Sequence, residues 1–261
     1  MADIDSSLQY FCEEVSHSHK VVLTGECADE VFGGYPWFHR EEMLNSGTFP
    51  WTPSLTPRKV LLKDDLVKSL HMDEYVKKIY DRSVSEINVL PSENEIETNR
   101  RRIGYLNIRF FMQTLLNRMD RTSMFSGLEA RVPFADRKLV DYVFNIPWEM
   151  KAKDGLVKNI LRQASKGLLP DEILFRRKSP YPKTYNPYYE NLLAKRLKEV
   201  LSDSTSPLHS LLDLKQVTQF LENPKDYGAP WYGQLMAGPQ MIAYLLQIEY
   251  FLRKYNVSIR I

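Results

Sequence analysis

The chain has 261 residues, enough for one large domain or two small ones. Thirty-five Lys and Arg against 33 Asp and Glu leave a net charge of +2, which gives no global pull toward nucleic acid or an anionic membrane. A 43% hydrophobic, 26% charged composition excludes disorder throughout, and two cysteines, Cys12 and Cys27, exclude a disulfide framework. Without a Cys/His cluster a structural zinc site is excluded as well. No apolar run approaches the ~20 residues a membrane span needs. The Met1–Asp5 start lacks the order of a signal peptide. The chain is therefore expected in the cytoplasm, with neither nucleic acid nor membrane as partner.

In chain order, Leu8, Phe11, Cys12 and Val15 predict an amphipathic helix from Asp5 to about Val15. Val21-Val22-Leu23 is apolar on consecutive positions, which predicts a strand covered on both faces, as in a parallel sheet. No partner strand is evident downstream. Helical spacing recurs over Leu66–Val89, with interruptions, and over Asn94–Met119. There Ile103, Leu106, Phe110, Leu115 and Met119 form a stripe widened by Phe111 and Leu116, and Gly104 marks close packing. Shorter helices are expected at Lys138–Asn145 and Val157–Lys166, and a helix start at Pro170-Asp171-Glu172. Lys178–Tyr189, with Pro180, Pro182 and Pro187, reads as a loop. Lys195–Leu201 and Leu211–Leu221 read as helices, and Met241–Leu252 as a buried one, being apolar nearly all round. The expected fold is mainly α with a remnant of an α/β parallel sheet.

Chemistry-bearing residues gather in three segments. Thr24-Gly25-Glu26-Cys27-Ala28-Asp29-Glu30-Val31-Phe32-Gly33-Gly34-Tyr35 leaves the carboxyl end of the predicted strand, where ligands bind in open α/β sheets. Its backbone N–H groups near Gly25 suit a phosphate, its carboxylates suit Mg²⁺, and Glu26 suits proton transfer. The plainer reading of Asp29 and Glu30 is a helix first turn that complements the macrodipole. Asp120, between Arg118 and Arg121, reads as a surface ion pair or as a buried acid orienting a catalytic group. Gly127–Asp136 reads as an ordered loop with an internal Glu129–Arg131 pair. Lys158 and Arg162 stand one turn apart, as a clamp for a polyphosphate or as a solvated basic face. Arg176-Arg177-Lys178 reads as a basic run facing water.

Together these segments resemble the carboxy-terminal synthetase domain of glutamine-dependent asparagine synthetases. Thr24-Gly25-Glu26-x-Ala28-Asp29-Glu30 is similar to that family's Ser-Gly-Glu-Gly-Ser/Ala-Asp-Glu loop. Asp120-Arg121-x-Ser123-Met124 with Gly127-Leu128-Glu129-x-Arg131-Val132-Pro133-Phe134 is similar to its central signature. Lys158-x-x-Leu161-Arg162, Leu169-Pro170 and Arg177-Lys178 continue in the family's order. The resemblance covers residues 1–180, with 181–261 alike only in being helical. It implies one incomplete synthetase domain, the carboxy-terminal part of an adenine-nucleotide alpha-hydrolase-like (ATP-pyrophosphatase) fold.

The resemblance also implies ATP-dependent amidation of aspartate through β-aspartyl-AMP, with ammonia from glutamine and Mg²⁺ as cofactor. Thr24 and Gly25 would touch the nucleotide. Glu26 would move the proton of the incoming ammonium, Asp29 would bind Mg²⁺-pyrophosphate, Asp120 would support the site, and Lys158 would neutralise the α-phosphate. The family's Ser-Gly-Gly-x-Asp-Ser pyrophosphate loop and its glutaminase domain are absent, and Cys27 replaces the usual glycine. The chain alone is therefore expected to be inactive, to need the upstream synthetase and glutaminase parts, and to self-associate or leave its first ~35 residues poorly ordered. Two other readings stand beside this one. One is a related β-lactam-type amide synthetase with a Tyr–Glu acid/base pair, for which Phe32 and Tyr35 look poorly placed. The other is a non-catalytic helical interaction domain.

Overall fold

The computed structural model describes residues 4–179, 186–223 and 238–259. The chain folds into two compact units, one from residues 7–50 and 81–181, the other from 1–6, 51–80 and 182–261.

The first unit carries the sheet. Strand β1 (Val21–Leu23) pairs in parallel with β2 (Glu129–Arg131), in the register Val21–Glu129, Val22–Ala130 and Leu23–Arg131. The partner strand missing from the sequence reading thus lies in the segment expected to be a loop. Glu-Ala-Arg has little β propensity, and its Glu129–Arg131 pair at 2.7 Å forms as expected. The expected burial of β1 on both faces does not hold: Val21 is 41% and Leu23 74% exposed. Only Val22 turns inward, joining Leu8, Cys12, Met119 and Leu128 beneath the sheet. Residues 4–35 take up the expected helix (Ile4–Ser16), then β1, then a short helix (Ala28–Phe32).

The Asn94–Met119 prediction becomes one longer run: an α-helix (Glu95–Leu106), a π-helical turn (Asn107–Met112) and a second α-helix (Gln113–Phe125). Asn94 starts it with a capping box, accepting from the Glu97 N–H while the Glu97 carboxylate accepts from its own. The π turn advances the helix face, so Met112 and Met119 are buried while the predicted Phe110 and Leu115 are only half-buried. A second cluster gathers Cys27, Val31, Phe32, Met112 and Val143, the last on the Arg137–Phe144 helix. The Asp136 carboxylate caps that helix through the N–H groups of Lys138 and Leu139.

In the second unit, helices Pro187–Ser202, Leu214–Glu222 and Gly238–Lys254 close around Leu197, Leu208, Leu212, Val217, Ile242 and Leu245. Pro187 opens a helix, so the expected loop ends sooner than Tyr189, and its residues 180–185 lie outside the described ones. The last helix is not buried all round: Tyr250 and Phe251 are 63% and 53% exposed. Leu66–Val89 resolves into Asp64–Leu70 and Met72–Ser85, split where His71 adopts a left-handed φ of 44°. Among the described residues no helix is long and apolar enough to cross a membrane.

Candidate active site

The loop after β1 is held before it is functional. The Thr24 N–H continues the sheet to the Arg131 carbonyl at 2.9 Å, and its Oγ1 accepts from the Glu26 N–H at 3.3 Å. Gly25 is exposed, with open space where a side chain would stand. Cys27 then takes φ 70°, the left-handed region that glycine enters at lowest cost. Burial raises its thiol to about 12, so it packs as an inert apolar group. This turn aims the two carboxylates on either side of it.

Glu26 is paired with Arg118 at 3.0 Å, both side chains under one-fifth exposed. Burial raises the Glu26 pKa, and the Arg118 charge and hydrogen bond only partly oppose that. Its second oxygen, Oε2, is buried with no hydrogen-bond partner. A carboxylate in that condition is suited to exchanging a proton. Asp29 follows three residues on, in the first turn of the Ala28–Phe32 helix, with Oδ1 3.0 Å from Lys158 Nζ and 3.3 Å from Lys178 Nζ. These are ion pairs without well-aligned hydrogen bonds, since Oδ1 is also buried with no bonded partner.

Lys158 reaches Asp29 from a backbone at φ 55°, directly before the Asn159–Ala164 helix. The tight turn upstream, with Asp154 and Gly155 both at positive φ and Lys153 bridging to Leu156, sets its approach. Arg162, expected to share a face with Lys158, does line the same hollow, but its guanidinium is not free for an anion. Arg162 donates instead to the carbonyls of Val157, Leu174 and Arg176, tying the segments together. Its place is taken by Lys178, expected to face water. The Lys178 side chain is only 25% exposed, donates to the Gly34 carbonyl at 3.2 Å and sits 4.0 Å over the Tyr35 ring. A cavity of about 330 Å³ lies between these segments, with Lys158, Arg162, Arg176, Arg177 and Lys178 facing a single carboxylate, Asp29. Such a basin selects a multiply charged anion.

Asp120 stays apart. It is exposed, two residues from Arg118 and so about 200° round the same helix, and forms no hydrogen bond or ion pair with Glu26, Asp29 or Lys158. Tyr35 does find a glutamate: its hydroxyl donates to Glu30, with Glu30 only 3% exposed. Burial raises Glu30 to about 7 and drives Tyr35 far above its usual range.

Thus a parallel strand ends in an acid-bearing loop, and two distant lysines meet its aspartate beside an anion-sized hollow. That arrangement is chemically suited to a multiply charged anion at the carboxyl edge of a sheet. The asparagine synthase family model matches residues 1–253, and the chain belongs to that family. It is 50% identical over 260 residues to asparagine synthetase [glutamine-hydrolyzing] 3 of Bacillus subtilis, covering 99% of this chain and 42% of that protein. Asparagine synthetase [glutamine-hydrolyzing] 1 of the same organism is 28% identical over 257 residues, covering 85% and 40%. The human asparagine synthetase [glutamine-hydrolyzing] is 42% identical over 67 residues, 24% of this chain and 12% of its own. The chain therefore spans about two-fifths of the length of the two Bacillus relatives.

Proposed function

We propose that these residues are the adenylate-handling part of a ligase that amidates aspartate to asparagine, on the carboxy-terminal part of an ATP-pyrophosphatase-type domain. One observation carries the reading: Asp29, Lys158 and Lys178, from three segments distant in sequence, meet beside the Glu26 loop. The aspartate side-chain carboxylate attacks the α-phosphorus of ATP, and the α–β bond breaks to release pyrophosphate. Ammonia, supplied from glutamine by a separate domain, then attacks the acyl carbon and AMP leaves.

Thr24 and Gly25 offer the loop to the nucleotide. Lys158 and Lys178 oppose the charge that builds at the α-phosphorus and on pyrophosphate, in a hollow where such charges are poorly screened. Glu26, held by Arg118 and with a raised pKa, takes the proton of the incoming ammonium. Asp120, exposed on another face of the Arg118 helix and bonded to none of these groups, takes no part in this reading. The donor set fits Mg²⁺: buried carboxylate oxygens of Glu26 and Asp29 have no bonded partner, and this ion takes one or two carboxylates together with phosphate oxygens. Asp29 would hold it, and the ion would supply charge neutralisation on the leaving pyrophosphate. No group of three His, Cys, Asp or Glu suited to a metal occurs among the described residues.

The test is a chimaera of the B. subtilis relative in which this chain replaces the matching segment. Glu26→Ala and Lys158→Ala should each lower aspartate-dependent ATP–pyrophosphate exchange by about 100-fold or more, with Tm moved by no more than about 3 °C. Loss of the fold in both variants would make them structural and favour a scaffold. The 261-residue chain by itself, lacking the Ser-Gly-Gly-x-Asp-Ser loop, is expected to show no exchange.

A further inference from the structure

Behind the Ala28–Phe32 helix lies a second cavity, about 210 Å³, whose chemistry the reaction above does not use. Its charged wall comprises Glu30, Glu93, Glu97, Arg100, Arg101 and Lys151, with Trp148 and further apolar and polar side chains between them. Arg101 and Glu93 neutralise each other in an ion pair at 2.5 Å, both about one-tenth exposed. Arg100 and Lys151 are not neutralised in this way. The Arg100 guanidinium lies 4.7 Å over the Trp148 ring, and its Nε donates to the Phe38 carbonyl at 3.4 Å. The one acid acting on it, Glu97, is engaged in the cap at Asn94. Lys151 Nζ donates to the Phe144 carbonyl at 3.2 Å, and the nearest ionic influence on it is the like charge of Arg101. Among the described residues neither cation has an ion-paired carboxylate.

We propose that this cavity binds a small carboxylate anion no larger than an amino acid, held by Lys151 and Arg100. Lys151, largely buried in this hollow with no ion-paired carboxylate, carries a desolvation penalty that a bound anion offsets, and Arg100, whose one acid Glu97 is shared with the helix cap, adds a second positive charge beside it. Burial lowers Lys151 to about 8, the signature of a charge lacking compensation. The volume admits a molecule of a few heavy atoms beside the Trp148 ring, and excludes a nucleotide. Glu30, also in the wall, adjoins Asp29 in sequence on the helix that carries the candidate active-site acid. The binding step itself does not depend on the ligase reading.

Calorimetric titration of the 261-residue chain with L-aspartate, L-asparagine, acetate and inorganic phosphate tests this. A carboxylate site gives saturable binding of at least one of the three carboxylates, with phosphate weaker. Lys151→Met should weaken that binding more than 10-fold. Gly104→Leu, which fills the cavity where an added Cβ already meets Phe144 at 3.6 Å, should abolish it without altering a charge. Lys158→Met should leave it unchanged, which separates this cavity from the Asp29 hollow. On the wild-type chain, the bound carboxylate should slow acetylation of Lys151 several-fold, read by peptide mass spectrometry, so the test stands even where a variant unfolds. Absence of saturable binding, a preference for phosphate, binding indifferent to both cavity variants, or equal Lys151 acetylation with and without ligand would each overturn the assignment.

Discussion

Gly34 leaves no room for a Cβ, which would stand 1.8 Å from Asp29 Oδ1 and 3.1 Å from the Asp29 Cα. Gly34→Ala must therefore push the Asp29 carboxylate off Lys158 and Lys178. In the chimaera it should lower pyrophosphate exchange by about 10-fold or more while leaving most of the fold's stability, measured by urea unfolding. Glu30 makes a different prediction. Held protonated to about 7 in the fold against 4.5 when free, it binds a proton in the folded state that the unfolded chain has already lost. Stability should fall as pH rises from about 4.5 to 7, by up to about 3 kcal/mol, and level off above. Glu30→Gln keeps an acceptor for the Tyr35 hydroxyl and should flatten that slope. A slope unchanged in the variant would assign it to other groups.

At this scale the sequence was informative about residue type and less so about partners. The Glu26–Asp29 turn and Lys158 are visible because carboxylates beside a strand end and a lysine near a helix start form compact local patterns. The burial of Lys178 against Asp29 is not visible, because it depends on a contact with Gly34 and Asp29 about 145 residues upstream. For Arg162 helical spacing gave the shared face with Lys158 but not the engagement of its guanidinium, which is drawn to three backbone carbonyls.

Among the elements, the helix beginning at Glu95 shows both what local pattern carries and where it stops. Its start is written in Asn94 and Glu97, and Asn94→Ala should cost about 1 kcal/mol, seen as a lower urea midpoint at constant m. Its middle is not, since the π turn at Asn107–Met112 inserts a residue into the 3.6 period and no side-chain type announces it. The same turn buries Asn107 completely, with Nδ2 donating to the Ile103 carbonyl at 3.3 Å. Strand β2 was hidden for a third reason. Three residues of Glu-Ala-Arg form a strand only because β1 supplies a parallel edge across residues 24–128, a tertiary cause that outweighs propensity.

Over the whole molecule, the two-strand sheet is the feature most at odds with an isolated soluble chain. Leu23 is 74% exposed on β1, and β1 pairs with no second strand among the described residues. An open parallel edge with an apolar residue on it is a template for pairing. The chain should therefore associate with increasing concentration in sedimentation velocity, and Leu23→Lys should shift it toward monomer. A monomer at all concentrations would mean that this edge is satisfied.

Lys178→Met in the chimaera is the most direct measurement, because local pattern reads this residue as part of a water-facing basic run and only the folded site brings it to Asp29. Aspartate-dependent ATP–pyrophosphate exchange should fall about 100-fold with Tm nearly unchanged. An exchange rate within about 2-fold of the parent would contradict the assignment of Asp29, Lys158 and Lys178 to one phosphate-binding site.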